Sequence, residues 1–88
     1  MAKKKSLFER MKSNPKGDWT IGDVEAFCKQ EGLDFRKPNG GSHHVVSSNH
    51  IFGNVTVPYK RPIKQGYIKS LVSYTEAHRR AERRKKDD

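Results

Sequence analysis

The sequence contains little from which to build covalent cross-links or a membrane segment. Its single cysteine, Cys28, cannot form a disulfide within the chain. No apolar run is long enough for a secretory signal peptide or a membrane-spanning helix. We therefore expect a protein of the reducing cytoplasm, without a structural disulfide and without a membrane partner.

Apolar residues are also scarce. Only 32% of the 88 residues are hydrophobic, while 33% are charged. A chain of this length forms one small domain with a small core. Part of the chain is therefore expected to lie outside that core. We expect Cys28 to lie inside the core as a small buried residue.

Acidic residues are few compared with basic ones. There are 10 Asp and Glu against 19 Lys and Arg, which gives a formal net charge of +9 and a pI of about 9.9. Two basic runs, 3–5 and 79–86, lie near the ends. This charge favours a polyanionic partner, with nucleic acid as the first candidate and an acidic protein as the second. The alternative is that the basic runs are only solubilising.

Capping signals and apolar spacing predict the helices. A short helical turn follows Ser6, and a longer helix begins after Thr20 and ends at Gly32. Another helix runs from about Gln65, and its continuation from Glu76 is so polar that we expect it to leave the core. These positions predict a basic extension over 1–17, one domain over 18–76 and a charged, mostly basic tail over 77–88.

Three short strand-like segments lie between the two longer helices. They cover 33–37, 43–48 and 54–58, and residues tolerant of turns separate them. The sequence therefore predicts a small α+β fold with the order α-β-β-β-α, in which a three-stranded antiparallel sheet packs one face on two helices. This is the element order of double-stranded-RNA-binding domains, which recognise A-form RNA through its shape and phosphates.

Two adjacent histidines open the second predicted strand. Strand side chains alternate between faces, so His43 and His44 point in opposite directions and one of them faces the open side. An imidazole could take the proton from a ribose 2′-hydroxyl, which then attacks the adjacent phosphorus. The alternative is a strand pair without chemistry. We expect no metal and no other cofactor, because neither His50 nor His78 lies at a zinc-like spacing from this pair.

Residues around the histidines could bind RNA. Gly41 and Ser42 could let a phosphate approach closely, or could be only a hairpin turn. Tyr59 could stack on a base, although an aromatic residue beside a proline also suits packing. Four cations could bind or polarise phosphate, or could lie in solvated segments. They are Lys60 and Arg61, and, with a weaker signal, Lys64 and Lys69.

Three motifs, in this order, resemble the HicA family of toxins. They are GSHH at 41–44, VTVP at 55–58 and QGYIKSL at 65–71. The family pattern is a glycine-serine-histidine strand, a TVP strand end and a helix of the GT-[RK]-S-I type. The resemblance covers about residues 20–75.

The resemblance implies a toxin of a toxin–antitoxin pair. Such a protein is a metal-independent endoribonuclease that acts on mRNA and is inhibited by a HicB-type antitoxin. The first histidine of the motif, His43, is the predicted general base. His44 is the alternative, because in some members of the family the essential histidine looks to be the second one of the motif. We expect an acidic antitoxin to cover the open sheet face and the histidines. A non-catalytic RNA-binding module, which needs neither histidine, fits the same charge and fold order.

Overall fold

The computed structural model describes residues 6–37, 43–59 and 62–87. In these ranges the chain forms three α-helices and one three-stranded sheet. None of these helices has the length and apolar character needed to cross a membrane. The predicted α+β fold with a three-stranded antiparallel sheet is confirmed, with one further short helix in front of it. The elements are α1 (Leu7–Ser13), α2 (Ile21–Glu31), β1 (Asp34–Arg36), β2 (His43–Ser47), β3 (Asn54–Pro58) and α3 (Gln65–Asp87).

Local signals define both ends of α2. The Thr20 side chain accepts a hydrogen bond from the Asp23 backbone N–H at 3.3 Å, and the Asp23 carboxylate accepts one from the Thr20 N–H at 3.0 Å. At the other end Gly32 adopts φ 75°, and the Leu33 N–H donates to the Cys28 carbonyl at 2.9 Å. Both predicted ends of this helix are confirmed, and they orient its apolar stripe toward the core.

The sheet has the order β1-β2-β3, and both pairings are antiparallel. Val46 of β2 lies opposite Phe35 of β1 and Val55 of β3, while His44 lies opposite Val57. Because directly opposed residues point to the same side, these five residues share one face of the sheet. Val46 and Val57 are fully buried, which identifies this face as the one that packs on the helices.

The core lies between this sheet face and the helices. Helix α2 contacts β1 and α3 contacts β3, while α1 packs on both α2 and α3. The exposed side chains of β1 and β3 lie on the opposite face. The buried apolar residues are Phe8, Met11, Trp19, Val24, Phe27, Cys28, Leu33, Val46, Val57, Ile63, Ile68, Leu71 and Val72.

The N-terminal segment differs from the expected extension. The basic run 3–5 lies outside the described residues, but α1 contributes Phe8 and Met11 to the core. The Arg79 guanidinium lies 4.0 Å from the centre of the Phe8 ring, and Lys12 forms a 2.9 Å ion pair with Glu76. Helix α1 is therefore part of the packed domain from its first turn.

Helix α3 also differs from the expectation, since it does not leave the core at Glu76. It continues to Asp87, and both Thr75 and His78 are almost fully buried. Their polar atoms are satisfied, because Thr75 donates to the Leu71 carbonyl at 2.7 Å and both His78 ring nitrogens have hydrogen-bond partners. A packed region that was predicted to end at 76 thus extends at least to His78.

Candidate functional site

The two histidines lie at the beginning of β2, beside the end of β3. His43 is exposed and pairs with Pro58, whereas His44 pairs with Val57 on the helix-covered face and is only 7% exposed. The sequence left open which histidine is exposed, and the structure gives this position to His43. The two imidazoles therefore have different environments although they are neighbours in the chain.

The His44 ring lies between two aromatic rings. Its centroid is 5.2 Å from that of Phe35 with an interplanar angle of 21°, and 6.0 Å from that of Tyr59 with an angle of 27°. Phe35 belongs to β1 and Tyr59 directly follows β3, so all three strands take part in holding the imidazole. Such stacking restricts the orientation of the ring before any ligand arrives.

One nitrogen of this ring has no hydrogen-bond partner. Among the described residues, His44 Nδ1 is buried and unpaired, as is Nδ1 of His50. A buried polar atom without a partner costs on the order of 1–3 kcal/mol, so this nitrogen does not stabilise the fold. In His44 this atom belongs to a ring that is already fixed on both faces.

Tyr59, one of the predicted RNA-binding residues, contacts a histidine. It stacks on His44 with one face, and 69% of its surface is exposed. The side chain therefore both covers the imidazole and presents apolar surface to solvent. A side chain on which an RNA base stacks next to a reactive group needs both properties.

Lys64 lies near the end of β3. It lines a cleft of about 210 Å³ together with Pro58, Pro62 and Tyr67. Pro58 is the cross-strand neighbour of His43, so the cleft adjoins the exposed histidine. Lys69 is exposed farther along α3. Four other predicted site residues, Gly41, Ser42, Lys60 and Arg61, lie outside the described residues, and their roles stay predictions.

Phe35 is a member of this site that the sequence analysis missed. It lies in the first predicted strand, but its proximity to His44 depends on the register in which β1 pairs with β2. The available signal was an aromatic residue between two charged residues, Asp34 and Arg36. That signal indicates a buried face and does not indicate which side chain will lie against it.

A second polar cluster lies at the opposite end of β2. His78 Nδ1 is 2.6 Å from the Ser48 hydroxyl, and its Nε2 is 3.0 Å from the Glu31 carbonyl oxygen. The His50 ring lies 5.1 Å from the His78 ring. No group of three or more histidine, cysteine or carboxylate side chains in ranges 6–37, 43–59 and 62–87 is arranged to hold a metal ion.

Cys28 is not part of either cluster. It is 1% exposed, which confirms the prediction that it is a core residue. Burial, with a smaller effect from the charge of Glu25, raises the pKa of the Cys28 thiol to about 12. The reactive thiolate is therefore a minor species at neutral pH.

Comparisons with other proteins give no family assignment. No protein-family model matches the chain, and no curated protein or solved structure is significantly similar to it. The resemblance to HicA toxins therefore stays a prediction that depends on the three motifs in the sequence.

Proposed function

We propose that this protein is a metal-independent endoribonuclease, with His44 as the general base. The observation that carries the proposal is the fixed position of the His44 imidazole between Phe35 and Tyr59. A general base is effective when its orientation is set before the substrate binds.

The chemistry requires only a base, an internal nucleophile and nearby positive charge. His44 accepts the proton of a ribose 2′-hydroxyl through Nε2, because Nδ1 is enclosed. The 2′-oxygen then forms a bond to the adjacent phosphorus, and the bond from phosphorus to the 5′-oxygen breaks. The leaving 5′-oxygen takes a proton from water, and the resulting hydroxide takes the proton from His44, which restores the base. The products are a 2′,3′-cyclic phosphate and a 5′-hydroxyl end. A cation such as Lys64 would stabilise the charge on the phosphate oxygens.

His43 is the alternative base, and it was the first choice from the sequence. Its exposure favours access to RNA. The stacking contacts described above involve His44, which is the reason for preferring it. His43 then contributes to the surface along which RNA approaches.

The substrate and partner follow from charge and from the motifs. A net charge of +9 suits a polyanion, and the exposed face of Tyr59 can stack a base beside His44. The HicA-like motifs support mRNA as the substrate, the cytoplasm as the location and a HicB-type antitoxin as the inhibitor. An acidic antitoxin would associate rapidly with this surface through electrostatic attraction.

A non-catalytic RNA-binding module is the second candidate. The low exposure of His44 favours this candidate, because packing against Tyr59 is enough to explain a histidine that is only 7% exposed. In that case RNA would bind through Tyr59 and the cations and would be released intact. Cleavage assays separate the two functions directly.

The test is incubation of the purified protein with a transcript in EDTA. We expect cleavage to continue in EDTA and to yield 5′-hydroxyl ends, with a 2′,3′-cyclic phosphate or its hydrolysis product on the other side. Loss of cleavage in EDTA with recovery on addition of a divalent ion, or products with 5′-phosphate ends, would contradict the proposed chemistry. Binding without any cleavage would support the RNA-binding module.

A further inference from the structure

A rigid turn presents an aromatic residue at the end of the sheet opposite the histidines. The turn connects β2 to β3 over 48–53, and Ser48 attaches it to α3 through the 2.6 Å contact with His78. The Tyr74 hydroxyl donates to the Gly53 carbonyl at 2.9 Å, and Gly53 adopts φ 90°, which favours glycine. The conformation of the turn is therefore held from both ends.

Phe52 is at the tip of this turn and is fully exposed, with a relative accessibility of 102%. At this exposure the Phe52 side chain buries almost no apolar surface, so it contributes little to the stability of the fold. Beside it is a recess of about 260 Å³, which is lined by Ser48, Asn49, His50, Ile51 and Phe52. The recess has amide and hydroxyl groups as well as apolar surface.

Positive charge lies next to the same turn. Ala77, Arg80, Ala81 and Arg84 have the spacing i, i+3, i+4 and i+7, so they share one face of α3. Together with Ile51 they line a cleft of about 200 Å³. The neighbouring Arg79 is bound to Glu31 at 2.6 and 2.7 Å, whereas Arg80 and Arg84 are exposed.

We infer that this region, the Phe52 surface (Asn49, Ile51, Phe52, Arg80 and Arg84), binds a single-stranded segment of RNA. One base stacks on the Phe52 ring, and the adjoining phosphates bind Arg80 and Arg84. Exposed aromatic rings beside cations are the usual means of binding single-stranded nucleic acid, because every base has a face that can stack. The Asn49 amide is available to the edge of a base in the recess.

The composition of the Phe52 surface favours nucleic acid over a protein partner. A stable protein interface buries about 800 Å² on each side, whereas one aromatic side chain supplies about 150–250 Å². The other side chains in the cleft are small alanines, a half-buried Ile51 and two arginines. A second copy of this chain is disfavoured, since it would bring the same arginines together.

This inference deepens the proposed function and rests on it, since it adds a second contact for the same RNA. Residues 44 and 47, near the two ends of β2, are separated by about 10 Å along the strand, at about 3.3 Å per residue. An RNA strand held at the Phe52 surface would therefore have to extend along the molecule to reach His44. The second contact would retain the strand while the base at Tyr59 is positioned.

The experiment measures binding of an RNA analogue that cannot be cleaved. The probe is a fluorescein-labelled 2′-O-methyl oligonucleotide of mixed sequence and about ten nucleotides, followed by fluorescence anisotropy. We expect Phe52→Ala to weaken binding at least about fivefold, Phe52→Tyr to preserve it and Phe52→Leu to weaken it. Because Phe52 is fully exposed, the melting temperature of each variant should match that of the wild type.

Arginine variants provide a matched comparison. Arg80→Ala and Arg84→Ala should each weaken binding and reduce the slope of the salt dependence by about one unit. Lys16→Ala removes a positive charge from the exposed linker between α1 and α2, which is not part of the Phe52 surface, and should have a smaller effect. Equal losses for Lys16→Ala and Arg84→Ala, or wild-type affinity for Phe52→Leu, would overturn the inferred site.

The outcome also separates this inference from the proposed function. If the wild type fails to bind the oligonucleotide, the proposal of an RNA-directed protein fails together with the inference. If the wild type binds and Phe52→Ala binds equally well, only the Phe52 surface is rejected. A DNA oligonucleotide of the same sequence tests whether stacking and charge suffice for binding. If Phe52→Ala weakens the binding of DNA as much as that of the RNA analogue, the result supports a contact that does not read the 2′ position.

Discussion

At the residue scale, the difference between His43 and His44 shows where sequence reasoning stops. The alternation of side chains along a strand predicted that one of the two histidines faces the core. The next two residues, Val45 and Val46, lie on opposite faces and are both apolar, so they do not show which face is buried. The pattern is therefore compatible with either face, and a shift of one residue would exchange all the side chains. The burial of Val46 and its opposition to Phe35 and Val55 determine the register, and these contacts join residues from different strands.

Cys28 gives a prediction at the same scale. Burial raises the pKa of its thiol to about 12, so the neutral form is favoured in the folded protein up to high pH. We expect iodoacetamide at about pH 8 to modify Cys28 slowly in the native protein and rapidly in denaturant, where the thiol regains an ordinary pKa. Mass spectrometry of timed samples measures both rates, and equal rates would contradict the buried position.

At the element scale, helices with local signals were predicted and contacts between distant helices were not. The Thr20–Asp23 capping box and Gly32 lie within a few residues of the ends that they define, so the sequence was sufficient for α2. The packed part of α3 beyond Glu76 was missed, because its burial depends on hydrogen bonds that join His78 with Ser48 and Glu31, which are distant in the chain. A polar sequence does not indicate such partners.

The ion pair between α1 and α3 gives a prediction on pH dependence. The hydrogen bond and charge of Lys12 lower the pKa of the Glu76 carboxyl from its ordinary value near 4.5. A lowered pKa contributes stability above the unfolded-state value, and this contribution is lost as the pH falls through the folded-state value. Because Glu76 is at the surface, we expect a small effect.

Urea unfolding of the wild type and Lys12→Ala tests this prediction. The wild type should be slightly more stable at about pH 6, and the difference should shrink as the pH falls below the ordinary Glu76 value of 4.5. Lys16→Ala is the matched control, since it removes an exposed lysine from the linker between α1 and α2. A difference between wild type and Lys12→Ala that stays constant over this range would mean that the ion pair does not cause it.

At the scale of the whole molecule, the sheet separates two regions of different character. At one end are His44, Tyr59 and the cleft with Lys64, and at the other are Phe52 and the arginines of α3. The fold class could be predicted because turns and caps are local. The attachment of α1 to the core could not, since Phe8 meets Phe27 and Arg79 only after the chain has folded.

The most direct test of the central claim is the single-turnover rate of RNA cleavage by His44→Phe. Phenylalanine keeps an aromatic ring between Phe35 and Tyr59 but has no nitrogen that can accept a proton. We predict a loss of about 100-fold or more in rate, with the circular dichroism spectrum and binding of the 2′-O-methyl oligonucleotide preserved. His43→Ala, the control at the exposed neighbouring position, should stay within a few-fold of the wild type. Wild-type cleavage by folded His44→Phe, or loss of cleavage only in His43→Ala, would contradict the assignment of His44 as the general base.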